Sequence, residues 1–122
     1  MKSNFDSRPR IIMPLGNGSY YYNSNITEKT ETGEDGQERT SYDCASVQFW
    51  GKPTRAALVK AMIRTELDES AEFDLVNSYN AAQEGILTGA EAEKAIADYK
   101  GYLRRVQEIK LQVTADLEAA GY

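Results

Sequence analysis

Residues 19–50 read SYYYNSNITEKTETGEDGQERTSYDCASVQFW, and this stretch decides the fold. Two runs rich in Tyr, Thr, Val and Phe, residue types that suit a pleated and half-buried surface, flank Gly33-Glu34-Asp35-Gly36. The pattern is that of a long antiparallel hairpin with an acidic, glycine-bearing tip. Tyr20, Tyr22 and Ile26 share one parity and Tyr21 takes the other, so aromatic rings stand on both faces of the sheet. A two-residue turn at Asp35-Gly36 sets Tyr22 opposite Phe49, Tyr21 opposite Trp50, Ser24 opposite Val47 and Ile26 opposite Ala45. It also sets Thr32 against Arg39 and Glu31 against Thr40. A turn at Glu34-Asp35 instead opposes Glu31 to Glu38, a like-charge pair that weakens a ladder, and it forgoes the Asp-Gly preference for a type I′ turn. The sequence therefore favours the first register. Apolar side chains gather at the base of this hairpin. Residues 27–39 are polar on both faces, so the tip projects into solvent or meets another chain.

Upstream, Ile11-Ile12-Met13-Pro14-Leu15 is a short apolar run closed by Gly16-Asn17-Gly18. Pro14 has no amide to give a ladder, which consigns this strand to an edge. Downstream of Trp50 the period changes to that of helices. Thr54 is placed to cap a helix over 55–66, with Ala57, Leu58, Ala61, Met62 and Thr65 on its inner stripe and Val59 and Ile63 widening it. Asp68 or Ser70 caps a second helix running to about Gln83, on which Phe73, Val76 and Tyr79, or Asn80 beside it, share a face. Thr88-Gly89-Ala90-Glu91 matches a capping box and opens a third helix towards Ala119, about 45 Å long. Its stripe runs Ile96, Tyr99, Leu103, Val106, Val113, Leu117, with Lys110 in register and Ile109 one place off, a near-heptad. The expectation is an α+β fold: a long antiparallel hairpin in a sheet of two or three strands, then three helices on one face. Residues 1–122 form one domain in this reading, with an arm and edge strand over 1–18, the hairpin over 19–50 and the helical part over 54–119.

The 122 residues are 41% hydrophobic and 27% charged, a globular composition. No stretch approaches the ~20 apolar residues of a membrane-spanning helix, and no apolar run follows the opening MKSNFD as a signal peptide requires. Net charge is −5, but residues 1–15 carry +2, residues 16–50 carry −4 and residues 51–122 carry −3. The basic arm is too small to track a phosphate backbone, which argues against nucleic acid as a partner.

With no histidine in the chain, the commonest general base and metal ligand are both missing. Cys44 sits beside Asp43, whose charge raises a thiol pKa, and reads as a small strand residue. Glu69 with Glu72 and Glu91 with Asp98 could form acid pairs, but at helix starts they complement the helix dipole. Glu34-Asp35 and Asp68-Glu69 lack the alternation of a calcium loop. Gly16-Asn17-Gly18-Ser19 leads into a strand rather than a helix and reads as a turn. Asn25-Ile26-Thr27 matches a glycosylation sequon by pattern alone. No catalytic, cofactor or metal residue is assigned.

Several segments carry a wider likeness: Val47-Gln48-Phe49-Trp50-Gly51-Lys52-Pro53-Thr54 after the Tyr-rich hairpin, then residues 57–64 (ALVKAMIR), 72–80 (EFDLVNSYN) and 98–106 (DYKGYLRRV). Over about residues 20–117 the chain resembles small uncharacterised proteins encoded by phages and prophages of gut bacteria, often near tail genes. The resemblance implies a non-enzymatic part in virion structure or assembly, in the host cytoplasm or the particle, and carries over no residue roles. The expected partner is protein, another copy of the chain included. The contact residues expected are Tyr20, Tyr21, Tyr22 and Trp50 at the hairpin base and Glu34 and Asp35 at its tip, with Tyr102, Val113 and Leu117 on the last helix. The hairpin would reach a neighbour and add contacts, strand pairing among them, while the seam of the last helix holds copies together. The rival readings are a monomeric adaptor or chaperone for a phage or host protein and, behind it, a carboxylate-based enzyme.

Overall fold

The long hairpin forms, and it is the centre of a four-stranded antiparallel sheet. In the computed structural model, which describes residues 1–122, β1 (Lys2–Phe5), β2 (Ile12–Pro14), β3 (Ser19–Thr32) and β4 (Glu38–Trp50) precede α1 (Arg55–Glu66), α2 (Glu69–Gln83) and α3 (Gly89–Ala119). Strand order is β1-β4-β3-β2. As its proline requires, β2 lies at an edge. The other edge strand, β1, was not expected, because Lys-Ser-Asn-Phe has no apolar alternation to announce it. It is held by its ladder to residues 42–45, by Ser46 N–H donating to the Met1 carbonyl at 2.8 Å and by Asn4 Nδ2 donating to Asp43 Oδ1 at 2.7 Å.

The register differs from the one expected. At the base Tyr20 faces Phe49, Tyr21 faces Gln48, Tyr22 faces Val47 and Ser24 faces Ala45. Carried to the tip, that register would oppose Glu31 to Glu38, the like-charge pair that counted against it. The strand avoids this with a β-bulge. Between Ser24 and Thr27 one extra residue enters β3, and Asn25 takes the left-handed conformation at φ 53°. Beyond the bulge Thr27 faces Asp43, Glu31 faces Arg39 and Thr32 faces Glu38. The tip is a three-residue loop, Glu34-Asp35-Gly36. Gly36 N–H donates to the Gly33 carbonyl at 3.0 Å, and Gly33 N–H to the Gln37 carbonyl at 2.9 Å. Gly36, at φ 75°, supplies the left-handed residue that follows the turn in this loop class. A bulge and a longer loop are both invisible to an argument that assumes an unbroken ladder.

The chain divides into two compact units, Met1–Ala61 with Val113–Tyr122, and Met62–Gln112. In the first unit, Ile12, Tyr22, Phe49, Leu58, Val59, Val113 and Leu117 are buried. Tyr22 donates its hydroxyl to Asp116, near the end of α3, and Arg55 Nε donates to Thr114 Oγ1 at 3.0 Å, which places these helical ends on the Tyr22 face of the sheet. Because β1 and β2 lie on opposite edges, residues 6–11 must cross the sheet, three strand spacings or about 14 Å. They do so on the other face, where fully buried Asn23 donates its amide to the Arg10 carbonyl at 2.8 Å. Beneath this strap Ser46 Oγ lies 2.6 Å from Asn23 Oδ1 and 2.9 Å from Ser3 Oγ. The second sheet face is thus partly covered from within, by a polar network.

In the second unit, Met62, Ala95 and Ile109 are buried, while α2 has no fully buried residue. Asp68 caps α2 by accepting from Ala71 N–H at 2.8 Å, and Thr54 caps α1 from Ala57 N–H at 3.2 Å. The capping box at α3 does not form. Gly89 begins that helix at φ 63°, and neither the Thr88 hydroxyl nor Glu91 bonds to the helix start. Two other expectations also give way. Phe73, placed on the inner face of α2, is 64% exposed, and the inner stripe of α3 passes through Tyr102 and Ile109 rather than Leu103 and Lys110. Straight helices drift about 20° per heptad, which over 31 residues moves the buried line off a strict seven-residue repeat.

Candidate interaction surfaces

The feature that sets this fold apart is an arm. Since β1 pairs only residues 42–45 and β2 only residues 20–22, residues 29–32 and 38–41 are held by nothing but each other, and Thr27 and Glu28 pair only with Asp43 and Tyr42 of β4. At about 3.4 Å per residue the arm extends roughly 20 Å past the sheet. Nearly every side chain on it is exposed. The polar composition explains this, since neither face offers apolar area to bury. Within the arm Lys29 Nζ lies 2.8 Å from Glu31 Oε1, which raises the Lys29 pKa, and Arg39 lies 3.5 Å from Asp35. Such exposed pairs contribute little to stability.

Backbone polarity gives the arm its chemistry. Gly33 N–H points to β4, and alternation along an antiparallel strand turns the amides and carbonyls of Thr27, Lys29 and Glu31 the same way. Those of Glu28, Thr30 and Thr32 therefore line the open edge of β3, and those of Glu38 and Thr40 the open edge of β4. Unpaired edges of this kind are templates for another strand.

At the base, Tyr20 stacks on Phe49 with ring centroids 5.5 Å apart. Tyr21 stands on the opposite face, half-buried beside Met13 and Gln48. Trp50 is 65% exposed opposite Ser19, a large apolar surface with no cover in the chain. Glu34 and Asp35 are exposed at the tip, where Asp35 Oδ1 accepts from Gln37 N–H at 3.1 Å.

Three expected contact residues are internal instead. Tyr22, Val113 and Leu117 are buried in the first unit, because the end of α3 spends its apolar stripe on its own chain. Burial and then the bond to Asp116 push the Tyr22 phenol pKa well above its ordinary value. Tyr102 is half-buried in the second unit and donates to Glu72 Oε2 at 2.5 Å, and burial first and this bond second push it up to about 12. Glu72 also accepts from Arg64 Nη2 at 3.0 Å, and Arg64 first and Tyr102 second hold its carboxyl below the ordinary range. The Glu69–Glu72 pair is thereby resolved as two acids about one guanidinium, with Glu69 3.9 Å from Arg64 Nε. Asp98 of the other pair takes a 2.7 Å bond from Lys94. Arg105 grips Glu66 at 2.5 and 2.8 Å, and Tyr79 stacks on Tyr99 at 4.3 Å. Cys44 is buried, as a small strand residue should be.

The sequence reading missed this Arg64–Glu72–Tyr102 cluster, whose members lie on three helices and share no local spacing. It also missed two shallow grooves of the second unit, of about 440 and 490 Å³, which share Leu67, Leu75 and Asp98. They follow from the thin packing of α2. No helix is long and apolar enough to cross a membrane. No protein-family model, curated protein or solved structure matches the chain.

Proposed function

We propose that this chain is a non-enzymatic protein of the phage structural or assembly kind, working through protein–protein contacts and self-association, with the hairpin arm as its contact element. The arm carries the reading: a two-stranded projection with two open backbone edges and no apolar face stabilises nothing in its own chain. Ordering its residues costs conformational entropy that internal packing does not repay. Donation of edge hydrogen bonds to a partner strand is what such a shape can do. Trp50, exposed at the far end of β4 from the arm, adds an aromatic anchor. The partners are proteins, other copies of the chain among them, in the host cytoplasm or the particle.

The test is solution mass by light scattering on a sizing column over a tenfold concentration range. Beside the natural chain runs a variant in which Asn-Gly replaces residues 30–40, joining the opposed pair Lys29 and Ser41. The expected result is association by the natural chain and its loss in the variant, with circular dichroism and thermal midpoint of the base unchanged. A natural chain that is monomeric throughout defeats self-association. It would favour the adaptor reading, to which the exposed Phe73 of thinly packed α2 would then point.

A further inference from the structure

We infer that the arm pairs with the same arm of a second copy, open β3 edge to open β3 edge, antiparallel about a two-fold axis at Thr30. The inference rests on the arm being a contact element and adds its partner and register. Self-complementary charge is the argument. With Thr30 opposite the partner's Thr30, Lys29 falls opposite the partner's Glu31, and Glu31 opposite the partner's Lys29. Glu28 and Thr32 oppose the partner's Thr32 and Glu28.

The backbone agrees with this register. Glu28, Thr30 and Thr32 present outward amides and carbonyls, and the two-fold aligns those three positions as hydrogen-bonding pairs, six bonds in all. Lys29 and Glu31 then occupy the close, non-hydrogen-bonded positions, where side chains approach best. Because opposed residues share a face, two rows extend through all four strands. Arg39 already faces Glu31 and Ser41 faces Lys29 in one chain. Across the dimer the row reads Arg39, Glu31, the partner's Lys29, the partner's Ser41, with charge alternating in sign. On the other face Thr40 faces Thr30, so four threonines align.

Other registers fail. A slip of two residues in one direction opposes Glu31 to the partner's Glu31, and in the other direction Lys29 to the partner's Lys29. Centring two β4 edges between Glu38 and Thr40 opposes Arg39 to Arg39. Edge lysines commonly block strand addition. Here Lys29 and Glu31 each disfavour one slipped register, and Arg39 disfavours the pairing of two β4 edges. The bulge at Asn25 is what makes this work, since it brings Glu31 opposite Arg39 instead of Glu38 and leaves the acid balanced from both sides. A β3-to-β3 contact also closes, using one edge on each copy, whereas β3 to β4 leaves free edges and grows.

The experiment uses the full chain in three charge variants: Lys29→Glu, Glu31→Lys and the double exchange K29E/E31K, which keeps the net charge. Sedimentation equilibrium reads the association constant. The natural chain should form dimers and no larger species. Each single variant alone should associate about tenfold more weakly or worse, since two opposed pairs become repulsive. An equimolar mixture of the two singles should regain dimers. In that pairing the acid introduced at position 29 of one chain meets the base introduced at position 31 of the other, and the two unchanged residues, Lys29 and Glu31, meet in the second pair. The double exchange should regain dimers over either single variant, though less tightly than the natural chain, because E31K sets a base opposite Arg39 within each chain. Single variants that dimerise like the natural chain overturn the inference. So does a mixture that stays monomeric, or mass that climbs past two copies. If shortening the arm abolishes association while the charge variants do not disturb it, the arm remains the contact element and only this pairing falls. A natural chain monomeric throughout overturns both.

Discussion

Tyr22 and Asp116 are 94 residues apart in the chain and meet through one hydrogen bond, the buried phenol on β3 donating to a carboxylate near the end of α3. That bond ties the last turns of the chain to the middle of the sheet. Tyr22→Phe keeps the ring and removes the donor, which should cost about 1–3 kcal/mol in urea unfolding. The pH dependence follows from the raised pKa. The folded state holds the phenolic proton more tightly than the unfolded chain, so this contribution is complete below the ordinary value of 10.0 and is lost as pH rises through the folded value. Tyr102, pushed up to about 12, acts in the same sense between its ordinary 10.0 and that value. Stability should therefore decline above about pH 10, less steeply in Tyr22→Phe, as urea midpoints at stepped alkaline pH would measure.

Glu72 reports on the acid side. Its carboxyl is held below the ordinary 4.5 by Arg64 first and Tyr102 second, so its contribution is present above 4.5 and is lost as pH falls through the folded value. Glu72→Gln should lower the unfolding midpoint at neutral pH and make that midpoint less sensitive to acid. Chemical denaturation at pH 7 and at steps below pH 4.5 tests both.

Under the strap, Asn23, Ser46 and Ser3 satisfy one another, whereas the Ser24 hydroxyl is buried with no hydrogen-bond partner. Ser46→Ala leaves the Asn23 carbonyl oxygen without its donor and should cost about 1–3 kcal/mol. Ser24→Ala should be neutral or slightly stabilising. Thermal unfolding of the two variants side by side makes the comparison, and equal losses would contradict it.

At the bulge, Asn25 occupies the left-handed region at φ 53°, which glycine adopts freely and a β-branched residue adopts only with strain. Asn25→Gly should leave stability within about 0.5 kcal/mol. Asn25→Val should lose about 1–3 kcal/mol or, by straightening β3, shift the arm so that Glu31 meets Glu38. Backbone amide exchange along the arm would distinguish strain from a shifted register.

Much of the architecture was legible because it is local. Caps at Thr54 and Asp68, helical periodicity over 55–66 and 69–83, and the edge position that Pro14 imposes on β2 each depend on neighbours within a few residues. The polar arm was legible too, since a run with no apolar face cannot be buried. The register was not. Opposing pairs select among registers only if the ladder is continuous, and one extra residue at Asn25–Ile26 changes every pairing beyond it. Among the expected contact residues, Glu34, Asp35 and Trp50 are exposed, while Tyr22, Val113 and Leu117 are core. An apolar stripe looks the same in sequence whether its own chain or a second copy covers it.

By itself, then, the sequence determined the class of fold, the hairpin, the three helices and the exposed polar arm, all of which arise from periodicity, capping and composition within one segment. Only the tertiary structure decided that residues 2–5 pair with β4, that residues 6–11 strap the second face over Asn23, that the bulge sets Glu31 against Arg39 and that α3 turns Ile109 inward. Each of these depends on surfaces brought together from distant parts of the chain. Their energies exist only once those surfaces meet, so no local pattern records them.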